Sequence, residues 1–184
     1  MAAEESRARI LDAALAEFST FGVAGARVDR IAKAAGVNKN LIYVYFENKE
    51  TLFSTVLGSN LTKVYADLAF TPEDLPGYAE RVFDFAMSNP ALMRLIAWNG
   101  LEGGAGNPST RDEAHAAKVA GLEAIRSEAN GAEFSSDFLL TGVMALATAW
   151  SAAGPFGSTL GDRQLDHALL RRSIARAVEV LAAS

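Results

Sequence analysis

Apolar residues recur along the chain at three- and four-residue intervals, and no segment shows the two-residue alternation of a strand. Residues 5–21 set Ile10, Ala14 and Phe18 four apart with Leu11 and Leu15 alongside, which predicts one broad face of an amphipathic helix stopped at Gly22. Two short helices follow, 28–35 closed by Gly36, then 39–46. Asn48 is placed to cap a long helix that runs to about residue 68. "FTPEDLPG", 70–77, holds two prolines and a glycine and reads as a connection between domains. Helix resumes over 78–88 and again at Pro90, whose helix carries Leu92, Leu95, Ile96 and Trp98. Beyond the glycine-rich 103–110, further helices fit near 111–130, 134–153 and 162–183. The pattern predicts an all-α fold of about nine helices. It falls into an N-terminal domain 1–47, a connecting helix 48–69 and a C-terminal bundle 70–184.

Composition narrows the chemistry. Half of the 184 residues are apolar, enough for a substantial core. Cysteine is absent, and the two histidines, His115 and His167, stand far apart in sequence and are expected at the surface. That excludes disulfides, thiolate metal sites and a His-rich metal site, so neither metal nor cofactor is expected. "MAAEESRARI" has no apolar core of a signal peptide, and a cytoplasmic protein is expected. The uncharged stretch 138–161 is long enough to cross a bilayer. Its polar residues and its flanking Asp137 and Asp162 argue against a span.

Charge is unevenly distributed. Residues 1–60 carry seven basic and seven acidic side chains, and the rest of the chain carries ten and fifteen, so the net −5 belongs to the C-terminal part. Within "RIAKAAGVNKNLIYVYF", 30–46, there are three cations and no carboxylate. A helix-turn-helix needs a residue tolerant of positive φ in its turn, a small residue one turn earlier and apolar residues facing inward on both sides. Gly36, Ala32 and the set Ile31, Ala35, Val37, Ile42 and Phe46 fill these roles. A plain helical hairpin with a solvated lysine face explains the glycine but not the coincidence of all four features. The remaining side chains suit a helix lying in a DNA major groove. Lys39, Tyr43 and Tyr45 can hold phosphate oxygens, Asn38 and Asn40 can read a base edge, and Leu41 or Val44 can touch a thymine methyl. Lys49, in the first turn of the next helix, adds charge where an anion is already favoured.

Residues 6–57, above all "ILDAAL", "IAKAAGV", "LIYVYF" and "NKETLF", resemble the DNA-binding domain of the TetR family of transcriptional regulators. The resemblance implies a three-helix DNA-binding unit, with the next helix linking it to a ligand-binding, dimer-forming domain. It also implies phosphate contacts from Lys39, Tyr43, Tyr45 and Lys49. Two positions depart from the family pattern: Arg27 stands where relatives usually have a Ser or Thr that caps the helix and binds phosphate, and Leu41 where small residues are commoner.

In the C-terminal bundle, Phe83, Met87, Met93, Trp98, Met144, Trp150 and Phe156 are the candidate lining of a pocket for an apolar or amphipathic effector, although each taken singly is better explained as core. Gly142, Ala145, Ala149 and Ala152 form a small-residue stripe, and Leu165, Leu169, Leu170, Ile174, Val178 and Leu181 an apolar face. These two helices, near 134–153 and 162–183, are expected to pair with their copies in a homodimer. The functional expectation is a small-molecule-responsive repressor that binds a palindromic operator in double-stranded DNA. A helical enzyme on the same fold and a sequence-indifferent architectural DNA binder are the alternatives. No paired-carboxylate, Ser/His/Asp or metal-ligand pattern supports the enzyme.

Overall fold

The computed structural model describes residues 2–101, 108–126, 133–154 and 166–183. Among the described residues lie nine helices and no strand. They are α1 (Ala2–Gly25), α2 (Val28–Ala35), α3 (Lys39–Phe46), α4 (Lys49–Asp67), α5 (Leu75–Ser88), α6 (Pro90–Leu101), α7 (Pro108–Arg126), α8 (Ser136–Thr148) and α9 (His167–Ala183). The chain divides into two compact units. One holds the residues up to Val64 together with α6 from Ala91, and the other holds Tyr65–Pro90 and the residues from Pro108 onward.

In the first unit, the four-residue spacing of α1 puts Ile10, Ala14 and Phe18 fully inside. Removing side chains of the size of Ile10 and Phe18 from water stabilises the fold by roughly 1.5–3 kcal/mol each. The Phe18 ring meets Phe53 of α4 edge-on, with centroids 5.3 Å apart, and joins the first helix to the fourth. Ile31, Ala32 and Ala35 of α2, Ile42 and Phe46 of α3, Leu52, Val56 and Leu57 of α4 and Leu92, Met93 and Leu95 of α6 are buried in the same unit. Gly22 breaks α1 rather than ending it: its φ of 65° and ψ of −179° suit glycine alone, and one further turn continues to Gly25. Asn48 caps α4 as its sequence position predicts, its Oδ1 accepting the Thr51 N–H at 2.7 Å. Glu47 before it has φ 62°, a left-handed conformation imposed by the tight turn that closes Asn48 N–H onto the Phe46 carbonyl.

In the second unit α5 packs on α8 and α9, and α7 packs on α8. Tyr78, Val82 and Phe83 of α5 are enclosed with Leu122, Leu139, Leu140, Val143, Ile174 and Val178. The helix begins at Leu75, not 78, because the Asp74 carboxylate accepts the Gly77 N–H at 2.9 Å and Pro76 sits in the first turn, where its missing N–H costs nothing. Arg171 ties α9 to α5 through Asp84 at 2.9 Å and Glu80 at 3.0 Å. Of the uncharged stretch 138–161, residues 138–148 lie in the thirteen-residue α8, which is about 20 Å long and short of a bilayer, and residues from 155 lie outside the described ones. Among the described residues no helix is long and apolar enough to cross a membrane.

Candidate nucleic-acid interface

Gly36 closes α2 with φ 64° and ψ 38°. Its own N–H reaches the Lys33 carbonyl, and the Val37 N–H reaches Ala32 at 3.0 Å. This crossed pair of bonds satisfies carbonyls that the helix end leaves open, and it turns the chain sharply into α3. Asn38 then caps α3, its Oδ1 accepting the Asn40 N–H at 2.8 Å. The carbonyl that sequence reasoning assigned to base reading is thus engaged in holding the helix start.

With Ile42 and Phe46 facing inward, Asn40, Tyr43 and Val44 come out together on the opposite face of α3. Val44 is 75% exposed and Tyr43 41%, so both are open to a partner. Leu41 is half-buried. Tyr45 is half-buried too, and its hydroxyl donates to the Ala3 carbonyl of α1 at 3.3 Å. Lys49 reaches back across the α1–α2 connection to the carbonyls of Ala24 and Ala26, at 3.5 and 3.4 Å.

Two carboxylates that sequence reasoning did not single out organise the site. Asp29 lies just outside the acid-free stretch, and its Oδ1 pairs with Lys39 Nζ at 2.9 Å. That hydrogen bond, more than any other influence, raises the lysine's pKa. Glu17 occupies the inward face of α1 with only 8% exposure and reaches the start of α2. Arg27 is the N-cap of α2 and makes no side-chain cap, but its backbone N–H donates to Glu17 Oε1 at 2.8 Å. Arg30 neutralises the same oxygen through Nε at 2.8 Å, lies over the Phe21 ring at 4.2 Å and donates to the Gly25 carbonyl. Burial alone would push the Glu17 carboxyl up. The hydrogen bonds from Arg30 and from the Arg27 N–H outweigh it and hold the pKa below its ordinary value. The Arg27 side chain itself is exposed at the mouth of this network. A sequence signal for Glu17 existed: it is an acid on the face otherwise formed by Ile10, Ala14 and Phe18.

Comparison with known proteins agrees with this geometry. Residues 10–56 match the family described as "Bacterial regulatory proteins, tetR family". Residues 74–179, more than half of the chain, match "Tetracyclin repressor-like, C-terminal domain". The chain belongs to the TetR family. It is 41% identical to the HTH-type transcriptional repressor SCO4008 of Streptomyces coelicolor over 122 residues, covering 65% of this chain and 64% of that protein. It is 31% identical to the HTH-type transcriptional repressor NicS of Pseudomonas putida over 136 residues, covering 70% and 60%. The chain thus spans less than two thirds of the length of these curated relatives. The crystal structure of SCO4942 from Streptomyces coelicolor, described as a transcriptional regulator, superposes with a TM-score of 0.84 at 32% identity, over 96% of this chain and 97% of that one.

The C-terminal unit of this TetR-family chain distributes the remaining candidates. Phe83 is buried in the core, and Met87, Met144 and Trp150 pack against that core half-exposed. Met93 and Trp98 belong to the other compact unit, and Phe156 lies outside the described residues. His115 pairs with Asp137 at 2.8 Å, and His167 is exposed beside the Phe83 ring. On α9 the apolar face turns inward at Ile174 and Val178, so part of the stripe expected at a subunit contact is internal core; Leu165 lies outside the described residues. Outside, Leu146 of α8 and Arg172, Ser173, Arg176, Ala177, Val180 and Leu181 of α9 line an open groove of about 730 Å³. Along α8 the small residues also reach the surface, with Ala145 exposed and no described atom within 4 Å of where a Gly142 side chain would start.

Proposed function

We propose that this chain is a homodimeric transcriptional repressor that acts in the cytoplasm and inserts α3 of each subunit into the major groove of a palindromic operator. The observation that carries this reading is the outward set Asn40, Tyr43 and Val44 on a helix whose opposite side is locked by Ile42, Phe46 and the Gly36 turn. A rigid helix with exposed amide, phenol and aliphatic groups offers donors, acceptors and methyl contacts at the spacing of base edges. Asn40 is assigned to base reading and Val44 to thymine methyl contact. Tyr43, Lys39, Arg27 and Lys49 are assigned to phosphate, where they set register. Leu41 and Tyr45, half-buried, support the helix from its sides, and Asn38 serves as its cap.

The proposed domain assignment is 1–47 for DNA binding, 48–69 for linkage and 70–184 for dimerisation and effector binding, with α6 from Ala91 belonging to the first compact unit. The outward faces of α8 and α9 are the proposed dimer contact, because the small stripe Gly142–Ala145–Ala149 permits close approach and the groove beside it on α9 is open and largely apolar. An apolar or amphipathic effector is proposed to enter beside Met87, Met144 and Trp150, with buried Phe83 behind them. It would act by binding unequally to the conformers that do and do not fit the operator.

Selection of bound fragments from a random DNA pool by the purified chain tests the reading. Enrichment of one inverted repeat, bound by two chains, is the expected result. Retention of all sequences alike would identify an architectural binder instead, and no retention would refute DNA binding.

A further inference from the structure

The pair Asp29–Lys39 is harder to explain by folding than any other contact in the interface. Both partners are exposed, 72% and 42%, so water and salt screen them, and such pairs contribute little to stability. Yet the α2–turn–α3 geometry brings them together from ten residues apart, and both carboxylate oxygens face the ammonium, Oδ1 at 2.9 Å and Oδ2 at 3.1 Å. Asp29 also stands in the first turn of α2, where the helix dipole favours a negative charge, so the carboxylate is held in place from its own side as well. To an ammonium, which binds as a point charge, a carboxylate is an anionic oxygen acceptor of the same kind as a phosphate.

We infer that Asp29 is an intramolecular stand-in for a DNA phosphate, which occupies Lys39 in the free protein and must be exchanged for phosphate when α3 enters the groove. This rests on the reading that α3 binds DNA. The pair does two things. It keeps Lys39, at the first residue of the recognition helix, extended and close to where a phosphate would lie. It also weakens binding to any DNA, because the attraction of Lys39 is already satisfied and the released carboxylate must recruit a cation from solution. The phosphate that Lys39 reaches still sheds its counterion, but a carboxylate freed beside the DNA draws a cation back, so the net release is smaller than for an unpaired lysine. The exchange therefore appears in the salt dependence of binding as an effect of Asp29 that depends on Lys39, whereas plain repulsion between Asp29 and phosphate would not need the lysine.

The test compares wild type, Asp29→Asn, Lys39→Ala and the double variant on a random-sequence duplex and on the duplex selected by wild type, over a series of salt concentrations. Asp29→Ser serves as a second variant should the asparagine fold poorly, which gel filtration and circular dichroism would reveal. Asp29→Asn is expected to tighten binding to both duplexes and to steepen the plot of log affinity against log salt by up to about 0.9. One extra ion released corresponds to roughly eightfold at about 0.1 M salt, from that slope across one decade. In the Lys39→Ala background the same substitution should lose more than half of this effect, since its target is gone. If the wild-type slope persists in Asp29→Asn, or if the gain is undiminished without Lys39, the inference is overturned while DNA binding stands. If wild type binds neither duplex at low salt, the reading beneath it falls and the inference falls with it.

Discussion

Replacing Glu17 with glutamine removes one negative charge from the interior of the N-terminal unit and leaves the side chain's shape almost unchanged. The carboxylate holds two donors, the Arg27 N–H and Arg30 Nε, each at 2.8 Å, and is itself only 8% exposed. Both bonds go to Oε1, so a glutamine oxygen in its place can keep both, but without the carboxylate's charge. Its NH2 group then lies near the Arg30 guanidinium, which needs an acceptor. Arg30 is 40% exposed and can turn toward water, so its Coulombic share is heavily screened. What remains is the difference between charge-assisted and neutral hydrogen bonds at a buried acceptor, about 1–2 kcal/mol. The loss should depend on pH. The Glu17 pKa is lower folded than unfolded, so its contribution is complete above the ordinary value near 4.5 and disappears as pH falls through the folded value. Urea unfolding of wild type and Glu17→Gln, followed by circular dichroism, should show the full gap at pH 7 and a narrowing gap below about pH 4.5. A gap that is absent at pH 7, or unchanged on acidification, would refute the role given to this carboxylate.

Other substitutions separate structural from reading roles. Gly36→Ala should cost about 1–2 kcal/mol, because φ 64° is strained for any residue with a Cβ. Space is not the cause there, since the nearest atom, Arg9 Nη1, is 3.6 Å from the added carbon; a thermal melt measures the loss. Asn38→Ala should lower stability by about 1 kcal/mol through the lost cap and leave sequence preference intact. Asn40→Ala should do the reverse, and competition binding on operator variants with single base-pair changes distinguishes the two. Val180→Arg should add a cation to a groove already lined by Arg172 and Arg176 and shift the protein from dimer to monomer in sedimentation.

The helix-turn-helix was legible nearly to the residue, because its signals are local. A 3.6-residue period, a glycine at a left-handed position and an asparagine before a helix each act within one turn of chain. The same locality explains the small errors. Pro76 and Gly77 look like a linker, but Asp74 captures the Gly77 N–H and makes them the first turn of α5. A Cβ at Gly77 would collide with that carboxylate, so the glycine serves the cap rather than a flexible connection. Glu17 and Asp29 were missed because their partners, Arg30 and Lys39, are thirteen and ten residues away, and only the packed turn brings them close. The α9 stripe was apolar on both its inner and outer sides. Periodicity therefore could not assign Ile174 and Val178 to the core and Leu169 and Val180 to the surface.

The central claim, that the outer face of α3 lies in a DNA groove twice per assembly, can be probed from one position. Because the chain has no cysteine, Val44→Cys provides a unique thiol on that face, to which a DNA-cleaving iron chelate can be attached. The account predicts strand cuts confined to two clusters, related by the operator's two-fold axis and spaced about one helical turn or a multiple apart. Cuts scattered along the duplex, or none on DNA that the tethered protein demonstrably binds, would contradict it.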